Sequence, residues 1–195
     1  MSAIRLPHDA RAGPTKAEVR AVLRQKLALD ATSHFVEVGS CTGAVTATAA
    51  RDAGRVTALE RKESRLDVTR QNLAANGLGE NVELRHAEAP TGLPDEYDVV
   101  FLGGSRNYEA VLDHAVAAGA DRIVMNVARL EVAGEAARAF RDRGLVEEIV
   151  QFQVSRGYEL AGATSFDADN PVYMLVGRPG DGAGTSDETD GGGSA

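Results

Sequence analysis

Lysine is almost missing from this chain. Only Lys16, Lys26 and Lys62 stand among 195 residues that carry 21 basic and 29 acidic side chains, so arginine supplies nearly all the positive charge. A surface poor in lysine and rich in carboxylates suits a cytoplasm of high salt. Cysteine is rarer still: Cys41 is alone, which excludes an internal disulfide. His8, His34, His86 and His114 are scattered, and no Cys/His group has metal-ligand spacing, so no metal is expected. No run of about 18 apolar residues occurs, and no basic stretch precedes a short apolar core. Neither a membrane span nor a secretion signal is expected, and the chain reads as cytoplasmic.

Negative charge is unevenly spread. The net charge is −8, but residues 179–195 hold Asp181, Asp187, Glu188 and Asp190 with no basic residue. That Gly/Ser/Asp/Thr stretch reads as a disordered, solvating tail. Without it the balance is 21 basic against 25 acidic residues. Such a body has no electrostatic footprint for nucleic acid.

Between an irregular, flexible segment (1–13) and the tail, residues 14–178 read as one α/β domain. Pro14 opens a helix with Thr15 and Glu18 at capping-box spacing and apolar residues at Val19, Val22, Leu23 and Leu27. Strands follow at 34–38, 55–59, 82–86, 97–102 and 122–127. Helices lie between and after them at 43–53, 62–76, 107–118 and 130–143, with Asn76-Gly77 as a helix stop. Two longer β runs, 145–155 and 171–177, close the chain. Regular alternation implies right-handed crossovers and a parallel sheet, with an antiparallel pair at one edge.

The motif that carries chemistry is Glu37-Val38-Gly39-Ser40-Cys41-Thr42-Gly43. It joins a strand to a helix start, where free N–H groups and the positive dipole end face a ligand. Glu60 ends the next strand, 21 residues after Gly39, where a carboxylate can take both hydroxyls of a ribose. The glycine spacing is not the G-x-G-x-x-G of dinucleotide sites. It resembles the E/D-x-G-x-G-x-G loop of class I S-adenosylmethionine methyltransferases, in which Cys41 replaces the middle glycine. Either φ at residue 41 is negative, so that a small side chain fits, or the loop is remodelled. No histidine in the motif activates the thiol, so Cys41 reads as a soft space-filler rather than a nucleophile.

Further segments narrow the likeness: Gly13-Pro14-Thr15, Glu88-Ala89-Pro90, Phe101-Leu102-Gly103-Gly104-Ser105, Val154-Ser155-Arg156-Gly157 and Asn170-Pro171-Val172-Tyr173. In this order, over about residues 13–178, they resemble the decarboxylating cobalt-precorrin C-15 methyltransferases of anaerobic cobalamin biosynthesis, in their stand-alone archaeal form. The resemblance implies a Rossmann-like class I methyltransferase fold, with a mostly parallel seven-stranded sheet, helices on both faces and an antiparallel edge hairpin. It implies S-adenosylmethionine as cofactor, a tetrapyrrole as substrate, and a homotetramer in, on composition, a halophilic archaeon. The implied reaction methylates C-15 of cobalt-precorrin-6B and removes the C-12 acetate carboxyl.

Carried over position by position, the cofactor contacts are Thr15, Gly39, Ser40, Cys41, Thr42, Gly43, Glu60 and Ala89. Glu88 either meets the adenine amino group or is exposed. Asn170-Pro171-Val172-Tyr173 only superficially resembles the Asn/Asp-Pro-Pro-Tyr stretch of amine methyltransferases and reads as structural. The glycine pair Gly103-Gly104 leaves room for a flat ligand, and Arg106, Arg129 and Arg156 are candidate carboxylate clamps. No side chain can be named as a general base. Another small-molecule or protein acceptor, or a non-catalytic nucleoside-binding module, remains open from sequence.

Overall fold

The computed structural model describes residues 3–10, 13–104 and 106–179. Its centre is a seven-stranded sheet in the order β3-β2-β1-β4-β5-β9-β6. β1 (His34–Val38), β2 (Arg55–Glu60), β3 (Val82–His86), β4 (Val99–Leu102) and β5 (Arg122–Val127) are mutually parallel. β9 (Val172–Gly177) runs antiparallel between β5 and β6 (Val146–Phe152). The expected closing pair is therefore present at that edge.

The central strands are apolar on both faces because helices cover both. Val36, Val100, Ile123 and Met125 pack with α4 (Tyr108–Ala117) and α5 (Leu130–Asp142). Phe35, Phe101 and Val124 pack against α1 (Ala17–Leu27) and α2 (Ala44–Ala49) on the other face. In α1 the buried residues are Val19, Leu23 and Leu27, each four apart and so on one face of the helix. α3 (Glu63–Ala75) lies beside α2 and ends as the sequence indicates. Gly77 takes φ 64°, and Leu78 N–H donates to the Leu73 carbonyl at 3.0 Å.

Two local expectations fail. Helix α1 begins at Ala17 with Lys16 as its cap residue and no side-chain cap, so Thr15 is not the N-cap. The capping box does not close because, with Lys16 as the cap residue, Glu18 is the second helical residue rather than the third; its carboxylate pairs instead with the Arg156 guanidinium. The second failure is the run 145–155, which stops at Phe152. A separate hairpin follows, β7 (Ser155–Leu160) with β8 (Ala163–Ala168). Its two-residue turn is Ala161-Gly162, both at positive φ (53° and 80°). Alanine is an unusual residue for that conformation, which is why the turn escapes a reading by turn residues.

Residues 4–10 have no regular secondary structure but lie along α3. Asn72 accepts from His8 N–H and donates to His8 O, and Asn76 does the same with Arg5. The acidic stretch from Gly180 onward lies outside the described residues.

Candidate active site

In an open parallel sheet the binding crevice forms at the carboxyl edge where the strand order reverses. Here that point lies between β1 and β4, because the helices following these strands leave to opposite faces. The glycine loop follows β1, and Gly103-Gly104 follow β4. A side chain at position 103 would be crowded: a Cβ there would stand 3.1 Å from Gly39 O and 3.4 Å from Val38 O.

Two cavities meet at this edge and share Gly39, Cys41 and Gly103. The smaller, about 220 Å³, lies between the loop and the segment before α1, with Thr15, Glu37 and Phe101 in its wall. The larger, about 600 Å³, extends past Glu60 and Ala89 toward Gly104, Arg106 and Arg129. All eight cofactor positions named from sequence except Gly43 line one cavity or the other. Gly43 instead seats the loop on α3: a Cβ there would lie 2.9 Å from Thr69 Cγ2.

The loop is held from behind by groups that sequence reasoning did not single out. Ser40 Oγ and Thr69 Oγ1 share a hydrogen bond of 3.0 Å, and Thr69 Oγ1 donates to Cys41 O at 3.2 Å. Asn72 Nδ2 donates to Thr42 O at 2.8 Å. Both side chains are fully buried on α3. Their signal was present as polar residues on the stripe that otherwise holds Leu66 and Leu73.

Cys41 has φ 54°, between Gly39 at 90° and Gly43 at 73°. The alternative of negative φ is thus excluded, and the family's glycine at this position has its reason in the left-handed backbone. Burial pushes the Cys41 thiol pKa up, so it stays protonated, which suits a space-filler.

Glu60 is buried, with Oε1 accepting Lys62 N–H at 3.0 Å and Oε2 accepting Cys41 N–H at 3.3 Å. Each carboxylate oxygen keeps lone pairs for a further donor. Glu60 pairs with His86 of the neighbouring β3, so the carboxylate and Ala89 border the same cavity. That arrangement fits the two hydroxyls of a ribose with a base beside Ala89.

Glu37 is fully buried at the end of β1, and Thr46 Oγ1 donates to its Oε2 at 2.5 Å. Burial raises its pKa to about 7; the Thr46 hydrogen bond lowers it and the nearby Glu60 charge raises it. Asn126, at the carboxyl end of β5, holds the one buried side-chain atom without a hydrogen-bond partner among the described residues, its Oδ1. Leu102 pairs with Met125, so Asn126 lies next to Gly103. Its signal in sequence is a lone polar residue within Ile123 to Val127.

The remaining candidates separate. Glu88 is exposed and ion-paired with Arg106, and Asn107 Nδ2 donates to Ala89 O at 3.2 Å. Arg106 and Arg129 line the larger cavity. Arg156 lines neither cavity. It lies on β7 rather than in a loop, with its guanidinium 3.2 Å from both Glu18 oxygens. Asn170 and Pro171 precede β9, where Asn170 O accepts from Lys16 Nζ, a structural role. No group of metal-ligating residues occurs among the described residues, and no described helix is long and apolar enough to cross a membrane.

Comparison with known proteins bears on the family and the fold. The family model of the precorrin methyltransferase domain matches residues 8–177. The chain is 73% identical over 177 residues, 91% of it and 95% of the relative, to a Halobacterium salinarum protein named probable cobalt-precorrin-6B C(15)-methyltransferase (decarboxylating). A precorrin-8W decarboxylase from Methanobacterium thermoautotrophicum superposes with a TM-score of 0.79 at 31% identity, covering 85% of this chain and 91% of that one. A precorrin-6Y C5,15-methyltransferase from Geobacter metallireducens gives 0.78 at 31% identity, covering 88% and 94%.

Proposed function

The chain belongs to the precorrin methyltransferase family, and from that premise we propose that it methylates C-15 of cobalt-precorrin-6B with loss of the C-12 acetate carboxyl. The product would be cobalt-precorrin-7. The observation that carries the reading is the convergence of Thr15, the 39–43 loop, Glu60 and Ala89 on one cleft at the switch point, continuous with a roomier glycine-walled part.

S-adenosylmethionine, when bound, supplies a methyl group on a sulfonium that leaves readily. Glu60 accepts from the ribose hydroxyls, Ala89 flanks the adenine, and the loop with Thr15 encloses the methionine end. The smaller cavity also presents the Glu37 carboxyl, whose ionised form would favour a cationic ligand. The protein's main work is to align the acceptor carbon with the methyl group and exclude water. Orientation of this kind can supply about 7–11 kcal/mol of barrier lowering. The electrons left by carbon dioxide are absorbed by the conjugated macrocycle, so no essential side-chain base is required.

We assign the protein to the cytoplasm, consistent with its single cysteine, and to a homotetramer. The hairpin β7–β8 supports an assembly: every residue of β7 is exposed, and Leu160 and Phe166 are 57% and 68% exposed. A lone two-stranded ribbon is marginal in water and gains from a cover.

The test is an anaerobic incubation with cobalt-precorrin-6B and radiolabelled S-adenosylmethionine. Equimolar methyl incorporation and carbon dioxide release support the reading. Methylation of other acceptors with none of this substrate would move the activity elsewhere, and S-adenosylhomocysteine binding without any transfer would leave a binding module.

A further inference from the structure

The larger cavity has an unusual charge for so acidic a protein. Four arginines line it, Arg61, Arg65, Arg106 and Arg129, against two carboxylates, Glu60 and Glu88. Both carboxylates are already engaged: Glu88 by Arg106, Glu60 by the backbone amides of Lys62 and Cys41. Elsewhere Arg24, Arg55, Arg70, Arg85, Arg122, Arg143 and Arg156 each have a carboxylate within ion-pair distance, whereas Arg5, Arg20, Arg138, Arg141 and Arg178 have none among the described residues, and none of these five lines the cavity. Among the described residues no such partner stands within that distance of Arg61, Arg65 or Arg129. A chain with a net charge of −8 has carboxylates to spare, so three unanswered guanidinium groups around one cavity create a local field opposite to the whole.

Their placement is also specific. Arg61 follows β2, and Arg65 lies four residues on, in the first turn of α3. Arg129 is the cap residue of α5, after β5. β2 and β5 are separated in the sheet by β1 and β4. Three inter-strand spacings make roughly 14 Å, the scale of a flat macrocycle with acid-bearing arms. The lining also includes Gly103 and Gly104, which carry no side chains.

We propose that Arg61 and Arg65 on one side and Arg129 on the other are the receptors for the peripheral carboxylates of the tetrapyrrole, and so set specificity for an anionic macrocycle. The proposal rests on the tetrapyrrole reading of this site and displaces Arg156 as a clamp, because Arg156 is committed to Glu18 outside the cleft. Guanidinium groups hold carboxylates through paired, charge-assisted hydrogen bonds.

The experiment separates ligand binding from turnover. Uroporphyrin I, a stable octacarboxylate, is titrated by fluorescence into protein saturated with S-adenosylhomocysteine, and its octamethyl ester serves as the uncharged control. The proteins are wild type, the double variant Arg61→Gln/Arg65→Gln, Arg129→Gln, and Arg138→Gln on α5 as a control outside the cleft. Each cleft variant should bind uroporphyrin roughly tenfold to a hundredfold more weakly, while S-adenosylhomocysteine affinity and melting temperature stay unchanged. Ester binding should not distinguish the proteins. Unchanged uroporphyrin affinity, an equal loss in Arg138→Gln, or a parallel loss of S-adenosylhomocysteine affinity each overturns the proposal; the last would give these arginines to the cofactor. If the arginine dependence holds but wild type fails to turn over cobalt-precorrin-6B, the anion site stands and the substrate reading falls.

Discussion

At the scale of single residues, the site is built from groups held in states they would not choose alone. Glu37 is the clearest. Folded, it binds its proton with a pKa of about 7, against an ordinary value of 4.5. The folded state therefore holds more protons than the unfolded chain between these values. Its contribution is fully present below about pH 4.5 and is lost as pH rises to about 7, by at most roughly 3 kcal/mol. Glu37→Gln should remove this slope, because an amide still accepts from Thr46 and carries no charge. Urea midpoints at pH 5 and pH 8 check it: an equal pH-dependent drop in wild type and variant would show that Glu37 is not its source. Cys41 presents the opposite economy. A side chain at φ 54° costs about 1 kcal/mol, which Cys41→Gly relieves while giving the unfolded chain more freedom. The melting temperature should change by a few degrees at most and methyl transfer should persist in both Cys41→Gly and Cys41→Ser. A thousandfold loss in both, with cofactor binding intact, would place chemistry at the sulfur instead.

At the scale of elements, α3 is the part on which the glycine loop depends. Its Thr69 and Asn72 hold Ser40, Cys41 and Thr42 from behind, and Asn72 also ties residue 8 to the helix. Asn72→Ala leaves Thr42 O and both backbone groups of His8 without this partner. The expected cost is roughly 2–4 kcal/mol of stability. S-adenosylhomocysteine affinity should fall as well, since the loop loses an anchor, and calorimetry reads it directly. Full affinity in a destabilised but folded variant would show that the loop keeps its form unaided.

At the scale of the whole molecule, the hairpin β7–β8 is the feature that a single chain does not explain. Phe166→Asp puts a charge into its most exposed aromatic position without touching the sheet core. Light scattering should show the wild type as a larger assembly and the variant as smaller species, with the melting temperature lowered. A wild type that is monomeric at micromolar concentration would refute the assembly. The acidic, lysine-poor composition bears on the same scale: screening by salt reduces self-repulsion of a chain at −8.

Much of this protein is decided locally, and that part was legible in the sequence. Apolar runs such as Val99 to Leu102 and stops such as Asn76-Gly77 depend on neighbours a few residues away, so strands and helices fall where periodicity puts them. The glycine loop and Glu60 were also visible, since strand, turn and helix follow one another without a break. What required the folded chain was every contact across sequence. Glu18 reads as a cap of its own helix, but the folded chain starts α1 at Ala17 and pairs Glu18 with Arg156, 138 residues away. Ala161-Gly162 became a turn only because two strands paired around it. Arg61, Arg65 and Arg129 are ordinary surface arginines in sequence, and only the sheet order sets them around one cavity without acidic partners. The chain's own pattern determined its elements and its cofactor loop; tertiary structure decided which charges are answered, because Coulombic partners are chosen by distance in space.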